Sequence, residues 1–324
     1  MHLVIPFAAT LSSGGVEALS ALRLPHLERL LAHSDADPGA AGACASASED
    51  DAPEFTLNTP HERVLAHLRG WSADDGRLPF AATLAQGDGI EIASAAPGDG
   101  WGLLTPSHWH VGAEQVSLAD PAALDLQEDE SRQLHEALRP LFADGGWQWH
   151  WGAPLRWYAS HASLADMPTA SLDRVIGRSV DLWLQGPQAL RSLRRLQAEA
   201  QMLLHTHPVN EAREARGLLP VNSFWLSGTG PGAPAATALP PGVLVDERLR
   251  APALAEDWPA WSAAWQALDA LLVSELADAA PGTPISLTLC GERSACRLDR
   301  RPHAGWSRLF GPRRRPALPL LRAL

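Results

Sequence analysis

The chain contains no lysine. All 26 basic residues are arginine, set against 37 acidic ones for a formal net charge of −11. Without a lysine amine there is no Schiff-base chemistry and no lysine-headed phosphate loop. A chain this acidic also lacks the clustered positive charge that a nucleic-acid backbone demands, so no nucleic-acid partner is expected. Cysteine is nearly absent. Cys44, Cys290 and Cys296 form no metal-type CxxC pattern and leave an odd thiol, which makes a reducing cytoplasm the expected setting. No apolar run approaches the roughly 18 residues of a membrane span, so no membrane partner is expected. The apolar start Met1–Thr10 lacks a basic segment and reads as a first strand, not a leader. Tyrosine occurs once but tryptophan 13 times. Large aromatics dominate burial, so most of these read as packing, with sugar stacking the lesser alternative.

At 324 residues and 46% hydrophobic, the chain can form one large domain or two modest ones. Leu3–Phe7 reads as a buried strand. Leu24–Ala32 reads as a helix with Pro25 in its first turn and leucines on one face. Residues 34–53, rich in Ala, Gly, Ser and Asp, read as a mobile loop. Thr59, Pro60 and Glu62 spell a helix start with a capping box. Trp101–Pro106 reads as a strand leading to His108 and His110. Asp129–Phe142 and Leu190–His205 carry helical apolar spacing. Trp147, Trp149 and Trp151 alternate with Gln148 and His150, the period of a strand, and Leu155–Ala159 is its expected hairpin partner. Val243–Val245, Ile285–Leu289 and Ala295–Leu298 read as later strands. Trp258–Leu276 reads as one long helix with Trp261 and Trp265 facing the core. Strands at both ends with helices between them predict an α/β core domain from residues 1–100 and 233–300. An α+β subdomain, 101–232, would be inserted in it, and 301–324, with Arg313-Arg-Arg315, would form a tail.

The densest polar segment is His205-Thr-His207-Pro-Val-Asn210 with Arg213, followed by Pro220-Val-Asn222 and Gly228-Thr229-Gly230. Its donors suit a small phosphorylated or carboxylated ligand held without a metal or other cofactor. Arg156 and Arg213 can grip an oxyanion bidentately, and Thr229 with its flanking glycines can add backbone N–H groups. Each residue also has a local reading. His205 and His207 can hold the turn before Pro208, Asn210 can cap a short helix, and the arginines can form ion pairs. His108 and His110 have the spacing of two imidazoles on one strand face, which suits a metal, but no third ligand is identifiable.

The middle of the chain resembles the archaeal-type cofactor-independent phosphoglycerate mutases of the alkaline phosphatase superfamily. The resemblance rests on Glu128–Leu138, Trp147-Gln-Trp149, Pro154–Ala159 and the run His207–Trp225. More weakly, Leu24–Leu30 is similar to that family's first helix. The resemblance implies an alkaline-phosphatase-like, mostly parallel sheet carrying the inserted subdomain. Leu24–Leu30, Pro168–Arg178, Gln201–Leu204 with Thr206–Asn210, and Pro220–Trp225 with Ser227–Gly230 also resemble the bacterial RpfE-type regulatory proteins, which implies a regulatory role and leaves room for a protein partner.

The departures from the mutases bear on activity. Those enzymes hold two divalent metals with aspartates and histidines and carry the phosphoryl group on an early serine. Here the first strand ends Ile5-Pro6-Phe7-Ala8-Ala9 with no aspartate, and no Asp-His dipeptide occurs. Ser12 and Ser13 read as a polar turn before Gly14-Gly15, with no base to activate them. Asp299 and His303 keep a ligand-like spacing, but Pro302 lies inside it. The expected function is therefore a regulatory or ligand-binding protein that has lost the metal centre. The alternative is a phosphoryl-transfer enzyme with a rearranged site using Asp299, His303, His108 or His110.

Overall fold

The computed structural model describes residues 1–37, 56–92, 96, 98–113, 115–184, 188–232, 238–280, 283–300 and 315–324. In chain order the first elements are β1 (His2–Ile5), α1 (Ser13–Ala21), α2 (Pro25–Ala32), β2 (Ser34–Asp37), α3 (Pro60–Leu68), α4 (Phe80–Gly87), β3 (Gly100–Ser107), β4 (Trp109–Val111), β5 (Val116–Leu118) and α5 (Glu128–Asp144). There follow β6 (Gln148–Ala153), β7 (Arg156–His161), α6 (Leu172–Val175), α7 (Gln188–His205), α8 (Pro208–Ala215), β8 (Ser223–Pro231) and β9 (Val243–Val245). The last are α9 (Arg250–Leu254), α10 (Trp258–Leu268), α11 (Ser274–Asp278), β10 (Ser286–Cys290), β11 (Ala295–Arg300) and α12 (Leu318–Arg322). No helix among the described residues is long and apolar enough to cross a membrane.

The elements fall into two compact units. The first comprises residues 1–55, 59–70 and 238–324, and the second residues 56–58 and 71–237. Residues 71–100, grouped by sequence with the terminal strands, lie in the second unit.

The first unit is α/β. Its sheet runs β2-β11-β10-β1-β9. The centre is parallel, with β1 between β10 and β9, and antiparallel β11 and β2 extend one edge. Leu3 pairs with Leu287 and Ile5 with Leu289, so the two ends of the chain share one sheet as the sequence predicts. Successive side chains of a strand point to opposite faces. Leu3 and Ile5 pack with Leu27, Leu30, Trp261, Trp265 and Leu268 of the helices, while Val4 packs with Val64 of α3. Both faces are thus covered, as a parallel sheet requires. Ser34–Asp37, expected in a loop, pairs with β11 instead. The edge strand offers backbone partners to a segment whose composition carries no strand signal.

The long helix expected over 258–276 is interrupted. After α10 a wider π turn spans Asp269–Val273 before α11 resumes. Asp269 is buried there, and its carboxylate accepts the N–H groups of His26 at 3.1 Å and Leu27 at 2.8 Å. Leu24 gives α2 no side-chain cap, so a residue some 240 positions away satisfies its first turn. Burial raises the Asp269 carboxyl pKa, against the opposing effect of those backbone bonds.

The second unit is built on the antiparallel sheet β6-β7-β3-β8. The tryptophan alternation is a strand, as predicted, paired with β7. Trp101, Trp157 and Trp225 are buried, in keeping with the packing reading of the tryptophans. Phe142 and Trp149 stack at 4.0 Å, and His135 stacks on Trp149 at 4.5 Å. Burial lowers the His135 pKa from 6.5 to about 4. Between those values the unfolded chain takes up a proton that the folded state refuses, so stability falls as pH drops through this window. At 1.36 kcal/mol per pKa unit the loss approaches ~3 kcal/mol for this histidine. In urea titrations at several pH values, His135→Phe should show a correspondingly flatter decline between pH 6.5 and 4. An unchanged slope would show that this ring does not carry the effect.

Candidate functional site

In an open α/β sheet, ligands bind beyond the carboxyl ends of the parallel strands. In the first unit that edge includes the loop from Pro6 to Ser12 after β1. Part of its backbone is already committed. The Trp261 indole donates to the Phe7 carbonyl at 3.0 Å, and that of Trp265 to the Ala8 carbonyl at 3.1 Å. Thr10 Oγ1 and the Leu11 N–H both donate to Glu292, at 2.8 and 3.1 Å. Phe7 has φ of 56°, a costly value for a side chain of its size, and its ring packs against His61 at 5.3 Å. Ser12 caps α1 by accepting the Gly15 N–H at 3.2 Å, so the expected polar turn is a helix start. The loop supplies no carboxylate of its own. Asp299 lies at the opposite edge, across from Ser286 at the start of β10, where Arg297 holds it at 2.9 Å, and His303 lies outside the described residues. Among the described residues no three His, Cys, Asp or Glu side chains gather closely enough to hold a metal ion. The groups described at this edge do not fit a two-metal phosphoryl-transfer site.

The donors singled out by sequence lie in the second unit, and the structure divides them. His205, Asn210 and Asn222 line a 280 Å³ cavity with His108, Trp109, Leu204, Glu214 and Pro220. His108 Nδ1 lies 2.9 Å from the Pro220 carbonyl and donates to it. The His108 and His110 rings are 6.1 Å apart. Both asparagines are engaged by backbone. Asn210 donates to the carbonyls of Leu204 and Val221 and accepts the Val221 N–H. Asn222 accepts the Trp109 N–H at 2.7 Å and donates to the Trp109 carbonyl at 2.9 Å. Glu214 is the one carboxylate of this lining and no arginine belongs to it, so the cavity's field does not favour an anion.

The remaining four residues are not part of that lining. His207 caps α8, accepting the Val209 N–H at 3.3 Å, and burial lowers its pKa. Thr229 is buried, with its hydroxyl 2.6 Å from the Met167 carbonyl and 2.8 Å from Thr169. Gly228 and Gly230, expected in a turn, lie within β8. Gly228 has φ of 63°, and a Cβ there would stand 3.0 Å from the Ala81 N, so glycine serves a close approach of α4. Arg156 forms a two-pronged pair with Asp88, at 2.8 and 2.7 Å, and Tyr158 also donates to Asp88 at 2.7 Å. These bonds, Arg156 first, hold the Asp88 carboxyl below its usual range despite some desolvation. Arg213 is fully buried. It pairs with Glu130, donates to the Leu124 carbonyl, and reaches the Leu219 carbonyl at 2.9 Å. Burial pushes the Glu130 carboxyl up, but Arg216, the Gln127 N–H and Arg213 outweigh it and leave it below the usual range. Sequence reasoning had no signal for Asp88 or for Glu130 as the partner of Arg213, because neither is near its arginine in the chain.

No protein-family model and no curated protein matches the chain. Among solved structures it is similar to a cofactor-independent phosphoglycerate mutase from Thermoplasma acidophilum. Identity is 16%, coverage is 100% of this chain and 98% of that one, and the TM-score is 0.37. It is also similar to the PH0037 protein from Pyrococcus horikoshii, at 13% identity, 92% and 87% coverage and a TM-score of 0.45. Scores this low fix neither a fold family nor an activity.

Proposed function

We propose that this chain is a binding protein in a regulatory role, taking a small phosphorylated or carboxylated ligand without turning it over. The observation that carries this reading is the loop after β1. Phosphoryl transfer with metal assistance needs oxygen and nitrogen ligands that neutralise the moving charge. Here the Phe7 and Ala8 carbonyls are taken by tryptophan indoles, and Glu292 is taken by Thr10 and Leu11. The resemblance of Leu24–Leu30, Pro168–Arg178 and Pro220–Trp225 with Ser227–Gly230 to RpfE-type regulatory proteins motivates the regulatory side of the reading.

The test is direct. Purified protein supplied with manganese and 3-phosphoglycerate should form no 2-phosphoglycerate above the rate of a heat-denatured control. Turnover that disappears with a chelator and returns with manganese would overturn the proposal. It would also restore Asp299, His303, His108 and His110 as candidates for a rearranged site.

A further inference from the structure

The 280 Å³ cavity beside His108 lies where the β3–β4 junction, the end of α7 and α8 meet. Its size suits a ligand of a few carbons rather than a drug-sized one. Trp109, Val111, Leu204 and Pro220 give it apolar walls. Its polar groups differ in what they have left to offer. Asn210 and Asn222 are spent on backbone. His108 is half-buried and bonded through Nδ1 to the Pro220 carbonyl. A carbonyl only accepts, so Nδ1 carries the proton and Nε2 of the neutral ring keeps its lone pair. No described residue donates to that nitrogen, and it retains accessible surface. Glu214 is exposed on α8, and among the described residues it has no hydrogen-bond or ion-pair partner. The neighbouring arginines do not neutralise it, because Arg213 and Arg216 both turn to Glu130.

An unneutralised carboxylate, a bare imidazole nitrogen and apolar walls, with no arginine among them, select a cation that brings N–H donors. A bare metal ion is not that cation. His108, His205 and Glu214 line one cavity, yet among the described residues no three such side chains stand close enough to share an ion. A primary ammonium group meets the same acceptors differently. Its N–H donors fan out to separated partners, and the attached carbon chain can lie on the apolar walls. The chain's net charge of −11 draws cations to the whole molecule, so location has to be separated from overall charge.

Beyond the anion-binding role proposed above and independent of it, we infer that this cavity takes a small aliphatic primary amine. Its ammonium group donates to Glu214 and His108 Nε2, and its carbon chain lies against Trp109, Val111 and Leu204. Calorimetric titration of the full chain with n-butylamine, neutral n-butanol and anionic butyrate tests this. The titrations are run at about pH 8, where a free imidazole is neutral and a primary amine is protonated. Butylamine should bind saturably. Butanol and butyrate should each bind at least about tenfold more weakly, because a hydrogen bond to a charged group is worth more than a neutral one. Glu214→Gln keeps the shape of an exposed side chain and removes its charge, so it should weaken butylamine about tenfold. Glu17→Gln, at an exposed position of α1 in the first unit, lowers the overall charge equally. It should change the affinity less than about twofold, because salt screens distant exposed charges. Circular dichroism establishes that both variants are folded. Absence of saturable butylamine binding, butanol or butyrate binding as tightly, unchanged affinity in Glu214→Gln, or an equal loss in Glu17→Gln would each overturn the assignment. Phosphoglycerate turnover is read without amine, so its outcome and this one are distinguishable.

Discussion

Arg213→Ala should destabilise the second unit by about 3–5 kcal/mol, the cost of breaking a buried ion pair by removing one partner. Arg213 is fully buried and Glu130 nearly so. The substitution removes the buried guanidinium that pairs with Glu130, and it strips the Leu124 and Leu219 carbonyls of their donor. Arg216 still reaches Glu130 from a half-exposed position and recovers part of the lost attraction. The check is urea unfolding followed by tryptophan fluorescence, with Arg195→Ala as a surface control expected to show no measurable shift. A change within about 0.5 kcal/mol, the range of ordinary surface substitutions, would mean that Arg213 is not the structural anchor described. It would then return to the list of ligand-binding candidates.

Trp265→Ala should cost the first unit about 3–5 kcal/mol, the usual penalty for emptying a buried aromatic site. Trp265 has no exposed surface and meets Trp261 edge-on at 6.4 Å. The substitution leaves a cavity and also frees the Ala8 carbonyl, whose bond to the indole is worth about 1 kcal/mol. Trp265→Phe keeps most of the volume and loses only the bond, so it should cost markedly less. Hydrogen exchange of the loop amides after β1 should quicken in both variants if the indole pins that loop. Equal stability of the wild type and the alanine variant would refute the packing of α10 on the sheet.

Much of the fold is written locally. The period-two pattern around Trp149 made a strand, and the leucines of α7 made a helix that ends at His205 as expected. Thr59, Pro60 and Glu62 form the capping box that their spacing spells. Each signal depends on residues within a few positions of one another, so propensity and periodicity suffice. The exceptions show where locality ends. Ser34–Asp37 is a strand because β11 offers it an edge, and the π turn falls where Asp269 caps α2. Gly228-Thr-Gly230 looks like a turn in sequence yet lies in β8, where glycine answers the closeness of α4.

The candidate site was less legible for the same physical reason. Of the donor-rich stretch that the sequence singles out, three residues meet in one cavity beside His108. It could not tell which arginines would be available to a ligand. Arg156 pairs with Asp88, 68 residues away, and Arg213 with Glu130, 83 residues away. Composition and periodicity determined that the chain is acidic, free of lysine chemistry and able to bury helices on a sheet. Which charges are consumed in packing was decided by the tertiary structure alone. An ion pair forms between groups that the fold brings within a few ångströms, and that proximity is not encoded in the neighbours of either residue.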